Sequence, residues 1–186
     1  MKTRLLFFGA IILCFATNGS TLFAATRNST NFSLESESFT AGGQLPARLA
    51  RRQVAGGENI SPELHWQNPP AGTRGYALLC IDLHPVARRW IHWLVVNIPT
   101  DCESLPEGAS GKLMPAGCHE LGNSFGDAGW GGPQPPPGSG RHRYRFTLFA
   151  LKCARLPAGI DSEQELRQAI QGKIAGQADL SGWFDR

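Results

Sequence analysis

Residues 131–146 read GGPQPPPGSGRHRYRF, and the rest of the chain is read outward from them. Proline and glycine stiffen the first ten positions into a loop that leads directly into a short alternating strand. Along that strand His142, Tyr144, Phe146 and Leu148 fall on one face, while Arg143, Arg145 and Thr147 fall on the other. A polar pair at the mouth of an otherwise apolar strand face predicts a small pocket. Its PQPPP rim is held rigid beforehand, which lowers the ordering cost of binding. A second polar island interrupts an apolar run at 81–99, IDLHPVARRWIHWLVVNIP.

Outward from these two islands the chain reads as strands. Residues 75–82, 90–98 and 144–151 are nearly continuous apolar runs bounded by Pro and Gly, as in strands buried on both faces or in a sandwich core. The alternating FSLESESF at 32–39 predicts a first strand, with a turn at Gly42-Gly43. Residues 48–59 are basic and aperiodic, a loop. ISPELHW at 60–66 predicts an edge strand, because Pro62 cannot serve a central ladder. Ser162 with Glu165 forms a capping box, with Asp161 as an alternative cap. Leu166, Ala169 and Ile170 recur at helical spacing before Gly172. Residues 174–184 predict a closing strand. The expected fold class is mainly β, a sandwich of antiparallel sheets with one or two C-terminal helices.

The N-terminus has the layout of an export signal. Lys2 and Arg4 precede an apolar run from Leu5 to Ala16, and small residues arrive at Ala24-Ala25. The expectation is a signal peptide over 1–24, followed by one domain over 25–186 in a periplasmic or secreted protein. The alternative is a retained anchor, for which the apolar run is short against the ~20 residues needed to cross a bilayer. Lys2 and Arg4 are the only charged residues in that segment, so without it the formal charge falls from +3 to about +1. Nucleic acid is therefore not an expected partner.

Of five cysteines, Cys14 leaves with the signal. Cys102 and Cys118 bracket a Gly- and Pro-rich stretch and are expected to pair in a disulfide. Cys80 and Cys153 bond to each other or stay as buried thiols. No cysteine pair has metal-ligand spacing.

Several chemistries lack their residues. There is no GxSxG elbow, P-loop, dinucleotide fingerprint or spaced carboxylate pair, so no cofactor is expected and catalysis is the weaker class. What remains is a cluster. Asp82 and His84 point the same way on an extended backbone, and His92 opens the next run. If the two runs pair, these three converge with His142. Such a set binds an anion when the imidazoles are protonated, or a metal when they are neutral. Arg88, Arg89, Arg141, Arg143 and Arg145 either steer an anion or keep a strand face soluble. Trp66, Trp90, Trp93 and Trp130 are core or pocket wall, with Trp130 between glycines the expected rim residue.

Taken in order, GENISPELHW, NPPAGTRGYALLCID, HWLVVNIP, FGDAGWGGPQPPPGSGRHRYRFTLFAL and AGQADLSGW resemble the phosphatidylethanolamine-binding protein family, in its bacterial Raf-kinase-inhibitor-like branch. The resemblance covers residues 32–184. It implies a β-sandwich with a small anion pocket at one end that accepts phosphate-like groups, including phospholipid headgroups. It also implies a binder or modulator of kinases or proteases rather than an enzyme. Carried onto this chain, the ligand-binding positions are Asp82, His84, His92, Gly132, Pro133, Pro135, Pro136, His142 and Tyr144. The departure is at Asp82-Leu83-His84-Pro85, where the family usually has Asp-Pro-Asp-Ala-Pro. Here the segment is shorter by one and carries an imidazole near the second carboxylate. Three readings follow: an exported anion- or headgroup-binding protein; a metal-binding protein or metal-dependent hydrolase using Asp82, His84, His92 and His142; and an interaction protein with a vestigial pocket.

Overall fold

The computed structural model describes residues 31–186. The expected signal at 1–24 and Cys14 lie outside the described residues. In chain order the described elements are β1 (Ser33–Glu35), β2 (Leu64–Gln67), β3 (Gly75–Asp82), β4 (Ile91–Ile98), β5 (Ser104–Leu105), β6 (His119–Glu120), β7 (His142–Leu151), α1 (Glu163–Ile170) and β8 (Ile174–Phe184). They form a three-stranded sheet, β1-β2-β5, and a five-stranded sheet, β6-β4-β3-β7-β8. Every strand pair in both is antiparallel. The protein is mainly β, and its described residues form two antiparallel sheets and one α-helix.

The three apolar runs become the inner strands β4, β3 and β7 because both faces of the larger sheet are covered. All of β3 is buried. One face, with Leu78, Cys80, Trp93 and Phe146, packs against Leu34, Leu64 and Trp66 of the smaller sheet. The opposite face, with Leu79, Leu94 and Phe149, packs against Leu166 and Ile170 of α1. Continuous burial on two sides is what turns alternation into an unbroken hydrophobic string. The helix starts as its cap predicts, since the Ser162 hydroxyl accepts from the Glu165 N–H at 3.2 Å.

Some boundaries differ from the sequence reading. The first strand ends at Glu35 rather than Phe39, because Ser36 and Ser38 turn away to bond the Glu63 carbonyl and the Glu107 carboxylate. The next begins at Leu64 rather than Ile60. The alternating strand does begin at His142 as predicted, held there by pairing with Phe184. Among the described residues one α-helix is present where one or two C-terminal helices were expected.

The expected Cys102–Cys118 disulfide is absent; all four described cysteines are thiols. Cys102 donates its S–H to the Ser104 carbonyl at 3.1 Å. Both sulfurs pack against the core, and burial pushes the Cys118 thiol up to about 11, away from the reactive thiolate.

Candidate functional site

The site forms where β3, β4 and β7 end together. Asp82 closes β3, and antiparallel register sets Tyr144 directly opposite it. His142, two residues earlier on β7, turns to the same face as Tyr144. Its Nδ1 meets Asp82 Oδ2 at 2.5 Å, and both side chains are buried. The other carboxylate oxygen accepts the His84 backbone N–H at 2.8 Å. Asp82 thus anchors both a histidine ring and the turn that follows its own strand.

His92 reaches the site through a bulge. Cys80 pairs with Trp93 and Ile81 with Ile91, leaving His92 as the extra residue between them. Its ring lies 4.9 Å from that of Tyr144, edge to face, and also meets the Phe125 and Trp130 rings. Nδ1 sits 2.5 Å from the Gly131 carbonyl. A carbonyl only accepts, so Nδ1 carries the hydrogen. Burial lowers the His92 pKa to about 4, against the opposing pull of the Gly131 carbonyl and the Asp82 charge. At neutral pH the ring is therefore uncharged, and its Nε2 is a bare acceptor.

Tyr144 is fully buried, yet its hydroxyl has no hydrogen-bond partner. Burial raises its pKa, so the hydroxyl keeps its proton. Asp82, His92, His142 and Tyr144 line a cavity of about 260 Å³ with Gln134, Pro135 and Pro136 from the proline loop. Val86, Ala87, Trp90 and Phe125 complete its apolar wall.

One contact has the appearance of a hydrolytic triad. Ser139 Oγ lies 2.9 Å from His142 Nε2, in line with the His142–Asp82 contact. A second acceptor competes for the serine hydrogen. Ser139 Oγ also lies 2.6 Å from the Pro136 carbonyl, so its single hydrogen has two acceptors within reach, that carbonyl and His142 Nε2. Ser139 is not part of the cavity wall, so its hydroxyl does not line the space a ligand would occupy.

The sequence-predicted residues divide into two groups. Asp82, His92, Pro135, Pro136, His142 and Tyr144 are brought together on the cavity wall. His84, Gly132 and Pro133 are nearby but take other positions. The His84 ring stacks on that of His142 at 3.9 Å, and its Nδ1 caps the following turn by accepting from Val86 N–H. Gly132 presses against the Leu49 carbonyl, where an added Cβ would come within 2.0 Å. The Pro133 carbonyl accepts from Arg51 N–H at 3.1 Å. These residues pin the loop from behind.

The profile described as Phosphatidylethanolamine-binding protein matches residues 35–185. A UPF0098 protein of Methanothermobacter thermautotrophicus is 36% identical over 155 residues, covering 82% of this chain and 98% of that protein. The crystal structure of Escherichia coli YbcL superposes with a TM-score of 0.77 at 31% identity, covering 83% of this chain and 98% of that one. A Chlamydia trachomatis homologue, CT736, gives 0.72 at 28% identity, over 85% and 99%. The chain belongs to the phosphatidylethanolamine-binding protein family. Its place there is with the bacterial YbhB/YbcL type.

Within this family member the shortened Asp82-Leu83-His84-Pro85 segment has a clear structural outcome. His84 supports His142 from behind by stacking and adds no group to the cavity wall. Among the described residues no three His, Cys, Asp or Glu side chains are placed to hold a metal ion, so the metal-centre reading loses its geometric basis. The arginines do not line the cavity either. Arg89 pairs with Glu163, Arg145 with Asp179, Arg141 stacks on Trp183, and Arg143 reaches Ser181. Trp130, expected at the rim, is core: it is buried and donates its indole N–H to the Leu49 carbonyl at 3.0 Å.

Sequence reasoning missed Val86, Ala87, Phe125 and Ser139, and it had Gln134 only as part of the PQPPP rim. Gln134 and Ser139 lie inside the stretch already singled out. Phe125 carries no local signal, because only the long loop before β7 carries it to His92.

Proposed function

We propose that this chain binds a small phosphate-like anion or a phosphorylated headgroup in the cavity beneath Pro135 and Pro136, without transforming it. The Tyr144 hydroxyl carries this reading. A protonated hydroxyl buried with no partner costs stability in the free protein, and an oxygen of a bound anion would relieve that cost. The proline loop favours binding further because its rim does not need to be ordered. Family membership supports a binding role over catalysis. The export layout of the N-terminus extends the reading to a periplasmic or secreted protein.

Calorimetry with phosphate and phosphoethanolamine tests the proposal. Saturable binding of either, competing with the other, is expected. No saturable heat from either between pH 5 and 8 would remove it. Mass measurement of the protein recovered from an envelope extract tests export, since an intact N-terminus there would contradict a cleaved signal.

A further inference from the structure

Four buried polar side chains meet at the cavity, whose wall also carries the half-buried Gln134 amide and the exposed Trp90 indole. The hydrogen positions of the buried four restrict what can enter their end of it. His92 is 2% exposed and its Nδ1–H is committed to the Gly131 carbonyl, so Nε2 presents a lone pair and no hydrogen. Beside it lies the Asp82 carboxylate, another acceptor. His142 is tied at Nδ1 to Asp82 and at Nε2 to Ser139. The Tyr144 hydroxyl is the one unengaged donor among these four side chains. The buried end of the pocket is thus rich in acceptors, an unusual surface for a fully deprotonated anion.

We propose that His92 makes the cavity selective for an oxyanion that brings its own hydrogen, the P–OH of a phosphate monoester or free phosphate, over an anion that has none. This rests on the anion-binding reading above and narrows its ligand class. One ligand oxygen accepts from Tyr144, while the P–OH donates to His92 Nε2. A phosphodiester or sulfate offers Nε2 only lone pairs, so it leaves a buried acceptor unpaired and adds repulsion. The groups around His92 are Asp82 from β3 and His142 and Tyr144 from β7, with the Phe125 and Trp130 rings from the loops. Burial keeps His92 neutral across the working range, so the expected pH dependence belongs to the ligand. A phosphate monoester loses its P–OH around its second pKa of ~6.

Methyl phosphate and dimethyl phosphate separate the alternatives, because at pH 5.5 both are chiefly monoanions and only the first has a P–OH. Calorimetry should give methyl phosphate at least about tenfold tighter binding than dimethyl phosphate or sulfate at pH 5.5, the size expected for one unpaired buried acceptor. That advantage should disappear by pH 8.5. Dimethyl phosphate keeps its charge throughout, so its own profile reports any titration of the protein. Equal affinity for the two phosphates at pH 5.5 would overturn the selectivity and leave the anion pocket standing. Tighter binding of dimethyl phosphate, or of glycerophosphoethanolamine, would also overturn it and assign the site to a diester headgroup. Binding of none of these anions would remove the pocket reading itself, and the selectivity with it. Long-range ¹H–¹⁵N correlation spectra of the wild-type His92 ring test the cause directly. A ring found protonated at Nε2 at pH 7 without ligand would contradict the proposal.

Discussion

His142 Nδ1 and Asp82 Oδ2 meet at 2.5 Å, although sixty residues separate them in sequence, and their side chains are only 1% and 5% exposed. This contact ties the end of β3 to the start of β7 and fixes the ring plane of His142 against that of His84. Removing one partner leaves the other buried without its complement. Asp82→Asn is expected to cost about 3–5 kcal/mol, read from urea unfolding. The double variant Asp82→Leu/His142→Leu should cost less than the sum of its single variants. Strict additivity would show that the two groups are not coupled.

His92 makes stability depend on acidity. Its folded pKa lies at about 4 because of burial, below an unfolded value of ~6.5. As pH falls through 6.5 the unfolded chain takes up a proton that the folded chain refuses. Stability is therefore whole above pH 6.5, declines between 6.5 and 4, and loses no more from this group below that. The loss approaches about 3 kcal/mol. Unfolding midpoints measured from pH 7.5 to 4 should carry this slope, and His92→Gln should flatten it. An unchanged slope in the variant would place its origin in other groups.

Tyr144→Phe should separate stability from binding. The wild-type hydroxyl is buried and unpartnered, so its removal is expected to stabilise the free protein by about 1 kcal/mol. The same change should weaken phosphate binding about tenfold. Thermal unfolding with and without phosphate reads both effects in one experiment. A destabilised free protein would mean that the hydroxyl is satisfied before ligand arrives.

Gly132→Ala tests the loop's anchorage. A Cβ there would lie 2.0 Å from the Leu49 carbonyl and 2.8 Å from the Ala50 carbonyl carbon, both backbone atoms that cannot rotate away. We expect a loss of about 3 kcal/mol, at the upper end for overpacking, since the proline loop must lift off the residues 47–50 turn. Pro136→Ala, on the exposed rim, should leave stability nearly unchanged. Equal effects of the two changes would contradict the placement of Gly132.

Six of the eight described strands and the helix were legible in the sequence because their patterns are local. The two-residue β5 (Ser104–Leu105) and β6 (His119–Glu120) are too short to carry a period. Alternation at His142, Tyr144 and Phe146 put these side chains on one face, and the structure buries all three while exposing Arg143. Leu166 and Ile170, spaced for a helix after a Ser162 cap, are its buried residues. The pattern even set Asp82 and His92 near one sheet end, through the two apolar runs that carry them.

What the period could not supply was the direction of each polar group. His92 enters the pocket because a bulge breaks the alternation, and a bulge depends on register between β3 and β4, which pairing across the sheet establishes. His84 lies two residues after Asp82 and was expected beside it in the pocket, yet its ring stacks behind His142 and off the cavity wall. Arginines interleaved with the site residues look poised for an anion in sequence, but alternation itself sends Arg143 and Arg145 to the opposite face, toward Ser181 and Asp179. Charge state was hidden as well. A histidine reads the same in any sequence, and only complete burial beside the Gly131 carbonyl makes His92 a neutral acceptor. The sequence by itself determined the layers and which faces they bury, because those follow from hydrophobic spacing along the chain. Tertiary structure alone decided the hydrogen-bond directions at the site, because each depends on which distant carbonyl or carboxylate the fold brings within reach.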